Sequence, residues 1–250
     1  TLPANRDTYQ WVLEPAPDID LESCTWFVDG SMHDETKRIF RRTGFGFAAV
    51  DDSGSLVAFG FGIPPHWIQD AAGAELWAAL FVVRLCCVIP RIVTDCKGIV
   101  DSLAQEPHTL TGHKKALART WALVRTALDD DFELARRTVR WMPSHTSIHT
   151  VHGTIDSQGN PVTPVMWRAN RLVDALAKYA AGRHRVPLSC TQKLRTAART
   201  VKFAAAKLGV VTEAANNLVV EQLDDCLLYT TDPAAQNTDA KHSCHLHLNN

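Results

Sequence analysis

No stretch of this chain is both apolar and long enough to cross a bilayer. The most apolar run, residues 76–89, is broken by Arg84 and falls short of the roughly 20 residues a membrane helix needs. No signal peptide is visible, no CxxC pair occurs among the seven cysteines, and no internal repeat recurs. These absences exclude a helical membrane protein and a disulfide-stapled fold. The cysteine count is odd, and Cys24, Cys86, Cys87 and Cys96 lie in or beside apolar runs, as small core residues do. The expected setting is therefore a reducing compartment, intracellular and either cytoplasmic or nuclear, with no membrane partner. Net charge is also nearly absent, at −1, so no global charge points to nucleic acid. Locally the balance is uneven: residues 182–207 carry seven basic side chains and no acidic one, and residues 208–250 carry six acidic side chains and one lysine.

What is present is enough for a sizeable core: 250 residues, 46% of them apolar. Residues 1–21, with three prolines and no clear periodicity, read as an extension or linker. Residues 25–29 form a strand, and 44–50 and 55–62 two more, joined by the turn Asp51-Asp52-Ser53-Gly54. A largely apolar helix follows over 70–85, then a short buried strand over 91–94 after Pro90, helices over 97–104 and 112–129, and a fifth strand over 137–142 stopped by Pro143. A Gly/Pro-containing loop over 144–166 has room for a small hairpin at 154–162, and a helix covers 168–181. Beyond Pro187 the stripe Leu194, Ala198, Val201, Ala205 and Leu208 marks an added amphipathic helix. The polar end, 230–250, is expected to be disordered. The order β-β-β-α-β-α-α-β-α predicts an α/β layer fold: a five-stranded mixed sheet, three antiparallel strands then parallel additions, flanked by helices. The expected segments are an extension (1–21), a catalytic domain (22–186), a helical extension (187–229) and a tail (230–250).

Four carboxylates stand in apolar surroundings, where charge is costly unless paired or bound to metal. Asp29 ends Cys24-Thr25-Trp26-Phe27-Val28-Asp29, Glu75 interrupts Ala74-Glu75-Leu76-Trp77, Asp95 ends Ile92-Val93-Thr94-Asp95, and Asp174 lies in Leu172-Val173-Asp174-Ala175. If the strands ending at Asp29 and Asp95 are parallel neighbours, both acids emerge at one sheet edge, the usual place for a site in an α/β fold. Carboxylate oxygens are hard ligands suited to Mg²⁺ or Mn²⁺.

Val28-Asp29-Gly30-Ser31, Ala74-Glu75-Leu76, Thr94-Asp95, Trp141-Met142-Pro143-Ser144-His145 and Asn170-x-x-x-Asp174-x-Leu176-Ala177, in this order, resemble the type 1 ribonuclease H family over roughly residues 22–182. The resemblance implies a ribonuclease H-like fold and a Mg²⁺-dependent endonuclease using two ions, with Mn²⁺ as a substitute. Such an enzyme cuts the RNA strand of RNA–DNA hybrids and leaves 3′-hydroxyl and 5′-phosphate ends. It further implies that Asp29 bridges both ions, that Asp174 holds the water-activating ion, and that Glu75 and Asp95 hold the ion on the leaving-group side. His145 would move protons or assist product release, and Gly30, Ser31 and Asn170 would contact the hybrid. The implied context is a retroelement polyprotein with a reverse transcriptase domain; residue 1, Thr rather than Met, fits a chain processed or cut from something longer. The competing expectation is a non-catalytic module of the same fold that supports a neighbouring polymerase. The segment from His145 to Asn170 is longer than compact members use, and it contains His149 and His152 as rivals for the working histidine.

Overall fold

The turn Asp51-Asp52-Ser53-Gly54 organises the antiparallel half of the sheet. The Asp51 carboxylate accepts from the backbone N–H groups of Ser53 (2.9 Å) and Ser55 (2.8 Å), and Gly54 supplies the left-handed φ of +83° that the turn needs. The computed structural model describes residues 8–33, 38–86, 88–144 and 146–218; the expected tail over 230–250 lies outside them. Strand β1 spans Thr8–Leu13, β2 Thr25–His33, β3 Arg42–Val50 and β4 Leu56–Ile63. Helix α1 (Ala71–Leu85) leads to β5 (Arg91–Thr94). Helices α2 (Lys97–Leu103), α3 (Pro107–Leu110), α4 (Ala118–Ala127) and α5 (Phe132–Thr138) precede β6 (Val139–Trp141), followed by α6 (Pro164–Arg183) and α7 (Leu188–Asn216).

The sheet order is β1-β4-β3-β2-β5-β6. β2, β3 and β4 pair antiparallel, and β5 and β6 add in parallel beyond β2. Apart from β1, this is the mixed sheet that the element order predicts. β1 is a correction: part of the expected extension pairs antiparallel with β4 as a sixth strand. Its partner lies far along the chain, and prolines flank it, so local pattern hides it. Trp11 packs edge-on against Phe47 (5.1 Å between centroids), and Tyr9 lies 4.8 Å from Phe81. α5 is a second addition: Asp131 caps it by accepting from the Leu134 N–H at 2.9 Å, and the strand expected over 137–142 shortens to β6. The helix expected over 112–129 begins only at Ala118. The hairpin expected over 154–162 is present as a single bridge between Ile155 and Pro161.

Alternation along β2 sends Trp26 and Val28 to one face and Phe27 and Asp29 to the other. Trp26, Val28, Phe45 and Phe47 pack with residues of α1, α2, α4 and α5 in the larger core. Phe27, Ala48, Val93, Met142, Val151 and Val173 form a second core under α6 and the loop after β6. Two glycines set how closely the helices lie. A Cβ on Gly30 would stand 2.2 Å from the Glu75 backbone N, and one on Gly46 would stand 2.4 Å from the Val173 carbonyl O. The backbones of α1 and α6 therefore lie almost on the sheet at these points, next in sequence to Glu75 and Asp174.

The chain divides into two compact units at Thr191/Gln192. The second is described through α7, in which Leu194, Val201, Phe203 and Leu208 are exposed. Among the described residues, Cys24, Cys86, Cys96 and Cys190 are free thiols, and no helix is long and apolar enough to cross a membrane.

Gly30→Ala and Gly46→Ala should each cost about 1–3 kcal/mol, because backbone atoms cannot swing aside as side chains do. Thermal melts should show both drop by several degrees. Gly153→Ala, whose added Cβ would meet nothing within 4 Å, should melt with the wild type; equal melting of all three would refute the tight-approach account.

Candidate functional site

β2 and β5 run in parallel register from Thr25↔Arg91 to Val28↔Thr94, and there β5 ends. β2 continues to His33, paired on its other side with β3. Asp29 is thus the first residue of β2 beyond the end of β5, and Asp95 is the first residue after β5. The expectation that Asp29 ends its strand is corrected: it sits mid-strand opposite Gly46. The two acids still meet, because it is the neighbouring strand that stops. The notch so formed also admits a side chain from the α1 face. Glu75, one turn into α1 and held against β2 at Gly30, places Oε1 where the Thr94 hydroxyl and the Cys96 N–H (3.0 Å) both donate to it.

One oxygen from each of Asp29, Glu75 and Asp95 lies within 4.8 Å of the others. Asp29 and Glu75 are buried, and Asp95 is partly so. Asp174 lies outside that trio, but it lines the same cavity, together with Gly30, Ser31, Asn170 and Ser144. Its charge acts on Asp29 and raises that acid's pKa. All four predicted carboxylates therefore face one space, three of them tightly grouped and Asp174 at the rim. There Asp174 also pairs with Lys178 one turn on, at 2.8 Å.

The site's electrostatics follow from this crowding. Burial, then the charges of Asp95 and Asp174, push Asp29 up to about 8, against a donated bond from the Gly30 N–H (2.6 Å). Burial, then Asp95 and Asp29, raise Glu75 well above the usual carboxylate range, despite the bonds from Thr94 and Cys96. The Cys96 thiol is pushed up to about 11 by burial and by Glu75, and so stays protonated at neutral pH. The trio is an all-oxygen donor set whose mutual repulsion a hard divalent cation would relieve, and its residues fit such an ion.

Several groups support the acids. Thr94 orients Glu75. The Trp141 indole N–H donates to the Asp95 carbonyl at 2.9 Å, which ties β6 to the turn bearing that acid. Asn170 donates to Asp95 Oδ2 at 3.4 Å, while its own Oδ1 is buried without a hydrogen-bond partner. Arg140 pairs with the fully buried Asp156 carboxylate at 3.3 Å, and this anchors the loop after β6. Thr94 and Trp141 stand inside the quoted motifs, whereas Arg140 and Asp156 lie outside them and carry no local signal. Of the histidines in that loop, His145 lies outside the described residues, its neighbours Ser144 and Thr146 line the cavity, and His149 is exposed and does not. Gly30 is explained by the approach of α1 and by its N–H bond to Asp29, and Ser31 lines the cavity.

The raised values predict a pH-dependent penalty. Folding disfavours the ionised forms of Asp29 and Glu75. The stability that these groups contribute is therefore complete below the ordinary carboxylate range and is lost as pH rises toward 8, the folded value of Asp29. In chelator, Asp29→Asn should melt several degrees above wild type at pH 8.5 and much closer to it at pH 4.5. Adding Mg²⁺ at pH 8.5 should raise the wild-type melting temperature more than that of the variant. A gap that stays constant with pH would contradict this.

No family model matches the chain, and no curated protein matches it. Solved structures do. RNase H1 of the halophilic archaeon Halobacterium salinarum is 18% identical, with 63% of this chain and 96% of that chain covered and a TM-score of 0.38. The PFV RNase H domain is 18% identical, with 64% and 94% covered and a TM-score of 0.41. The prototype foamy virus protease-reverse transcriptase is 16% identical, with 70% of this chain but 23% of that chain covered and a TM-score of 0.43. Strand order, parallel register and cores on both faces of the sheet make this chain an α/β protein built on a six-stranded mixed sheet.

Proposed function

We propose that the chain is a divalent-cation-dependent nuclease that hydrolyses the RNA strand of RNA–DNA hybrids, leaving 3′-hydroxyl and 5′-phosphate ends. The observation that carries this is the meeting of Asp29, Glu75 and Asp95 within 4.8 Å in a cavity that Asp174 also lines. Buried carboxylates forced together without a cation among them are costly. Hard oxygen donors in that number suit Mg²⁺, with Mn²⁺ as a substitute. Asp29, at the centre of the set, would bridge two ions, with Glu75 and Asp95 toward one and Asp174 toward the other. When bound, such ions supply Lewis-acid stabilisation at phosphorus and lower the pKa of the attacking water.

The chain's own groups do the positioning. The Gly30 N–H holds one oxygen of Asp29, and Thr94 and the Cys96 N–H hold one oxygen of Glu75. Each carboxylate keeps its second oxygen for a ligand. The Trp141 indole and the Asn170 amide fix Asp95 from its backbone and side-chain ends. Gly30 and Ser31 at the cavity wall take the backbone of the cut strand, Asn170 contacts the DNA strand, and Glu75 meets the ribose 2′-hydroxyl that distinguishes RNA from DNA. His145, in sequence between two cavity-lining residues, moves the proton to the leaving oxygen.

Incubation of an end-labelled hybrid with Mg²⁺ tests this. Wild type should cut the RNA strand and spare duplex DNA. Asp29→Asn, Glu75→Gln and Asp95→Asn should each slow cleavage by roughly 100-fold or more, as loss of a group that stabilises developing charge does. An inert wild type, or an Asp29→Asn variant that cuts as fast, refutes the proposal.

A further inference from the structure

Trp167, Asn170, Arg171, Asp174 and Lys178 follow one another at helical spacing on α6, and all line the carboxylate cavity. Two of these five are cations, and they are held differently. The Lys178 ammonium lies 2.8 Å and 2.9 Å from the two oxygens of Asp174, so its charge is already engaged. Arg171 stands three residues before Asp174, a spacing that permits the same pair, yet it makes no ion pair among the described residues. Its guanidinium lies instead over the Trp167 ring, 5.4 Å from the centroid. Trp167 is itself fixed, because its indole N–H donates to the Thr146 carbonyl at 2.8 Å and its ring packs against the core beneath α6.

A guanidinium held over a ring, without an ion pair among the described residues, keeps an N–H edge for a ligand. That edge carries N–H donors in a rigid fork that matches two oxygens of a phosphate, and stacking against a fixed ring means that little side-chain freedom is lost on binding. An acidic cavity also needs such a group. A phosphodiester chain entering beside buried carboxylates is repelled, and a fixed cation at the wall offsets that repulsion. We infer that Arg171, braced by Trp167, is a phosphate-binding residue that grips the strand in the cavity at a phosphate flanking the one to be cut. Trp167 is a positioning residue that acts through Arg171. The inference rests on the hybrid-nuclease proposal for the same cavity.

The experiment measures binding of a fluorescently labelled RNA–DNA hybrid by anisotropy across a salt series, with the full chain in an Asp29→Asn background so that turnover does not interfere. Adding Arg171→Ala should weaken binding by about 10-fold and flatten the slope of log affinity against log salt by about one, the loss of a single phosphate contact. Arg171→Lys should keep the slope but recover only part of the affinity, since an ammonium lacks the fork. Trp167→Ala should also keep the slope while weakening binding. Arg171 is exposed, so its variants should melt with the parent. Unchanged affinity and slope in Arg171→Ala overturn the inference and leave the nuclease proposal standing if wild type cleaves. A wild type that neither binds nor cuts hybrid overturns both. A wild type that binds but does not cut, with the predicted loss in Arg171→Ala, keeps Arg171 as a phosphate contact and refutes the nuclease proposal.

Discussion

Asp29, Glu75 and Asp95 repel one another where water is largely excluded, and the fold holds them there regardless. That repulsion is the constraint to which the surrounding structure answers. It is visible in Asp29, which burial and its acidic neighbours bring up to about 8, and it explains why so many donors converge on so few oxygens. The Gly30 and Cys96 N–H groups, the Thr94 hydroxyl and the Asn170 amide each stabilise a carboxylate that would otherwise turn toward solvent. Core packing supplies the rest. Large side chains on both faces of β2 fix the strand, and the bare backbones at Gly30 and Gly46 let α1 and α6 descend close enough to deliver Glu75 and Asp174.

The notch at the end of β5 is where these demands are reconciled. A β5 continued alongside β2 would place paired backbone where the carboxylates now meet. Because β5 stops at Thr94 while β2 runs on to His33, side chains from the α1 face and from the α6 face reach the same space. The cavity is consequently acidic on its floor and mixed on its α6 wall, where Lys178 is spent on Asp174 and Arg171 is held apart on Trp167. The proposed hybrid would meet that division as an acidic floor and a positively charged wall.

The fold was legible wherever local pattern and burial agree. The antiparallel strands around the Asp51 turn, the apolar helix ending at Leu85 and the short strand before Asp95 are apolar runs largely buried in the fold, and the helix carrying Asp174 buries one face at helical spacing. Legibility failed where stability comes from distant partners. β1 is a strand because β4 is there to pair with it, and Phe47 and Phe81 are there to meet its aromatic rings. α5 depends on a cap at Asp131 and on Phe132 and Ala135 reaching the core, too short a run for periodicity to register. Asp29 lies four residues before the end of β2, because pairing with β3 continues to His33 where the apolar run has already stopped.

By itself the sequence determined which residues carry charge into apolar surroundings, and in what order along the chain. That is sufficient to nominate Asp29, Glu75, Asp95 and Asp174, because four acids set in apolar sequence in this order point to one site rather than to four accidents. Only the tertiary structure decided how those charges are grouped: three in mutual contact range, Asp174 at the rim with Lys178, Thr94 and Trp141 as their supports, and Arg171 kept unpaired. The physical reason is that electrostatic and hydrogen-bond energies depend on separations of a few ångströms. Those separations are set by strand register and by helix-to-sheet distance, neither of which any local stretch of sequence specifies.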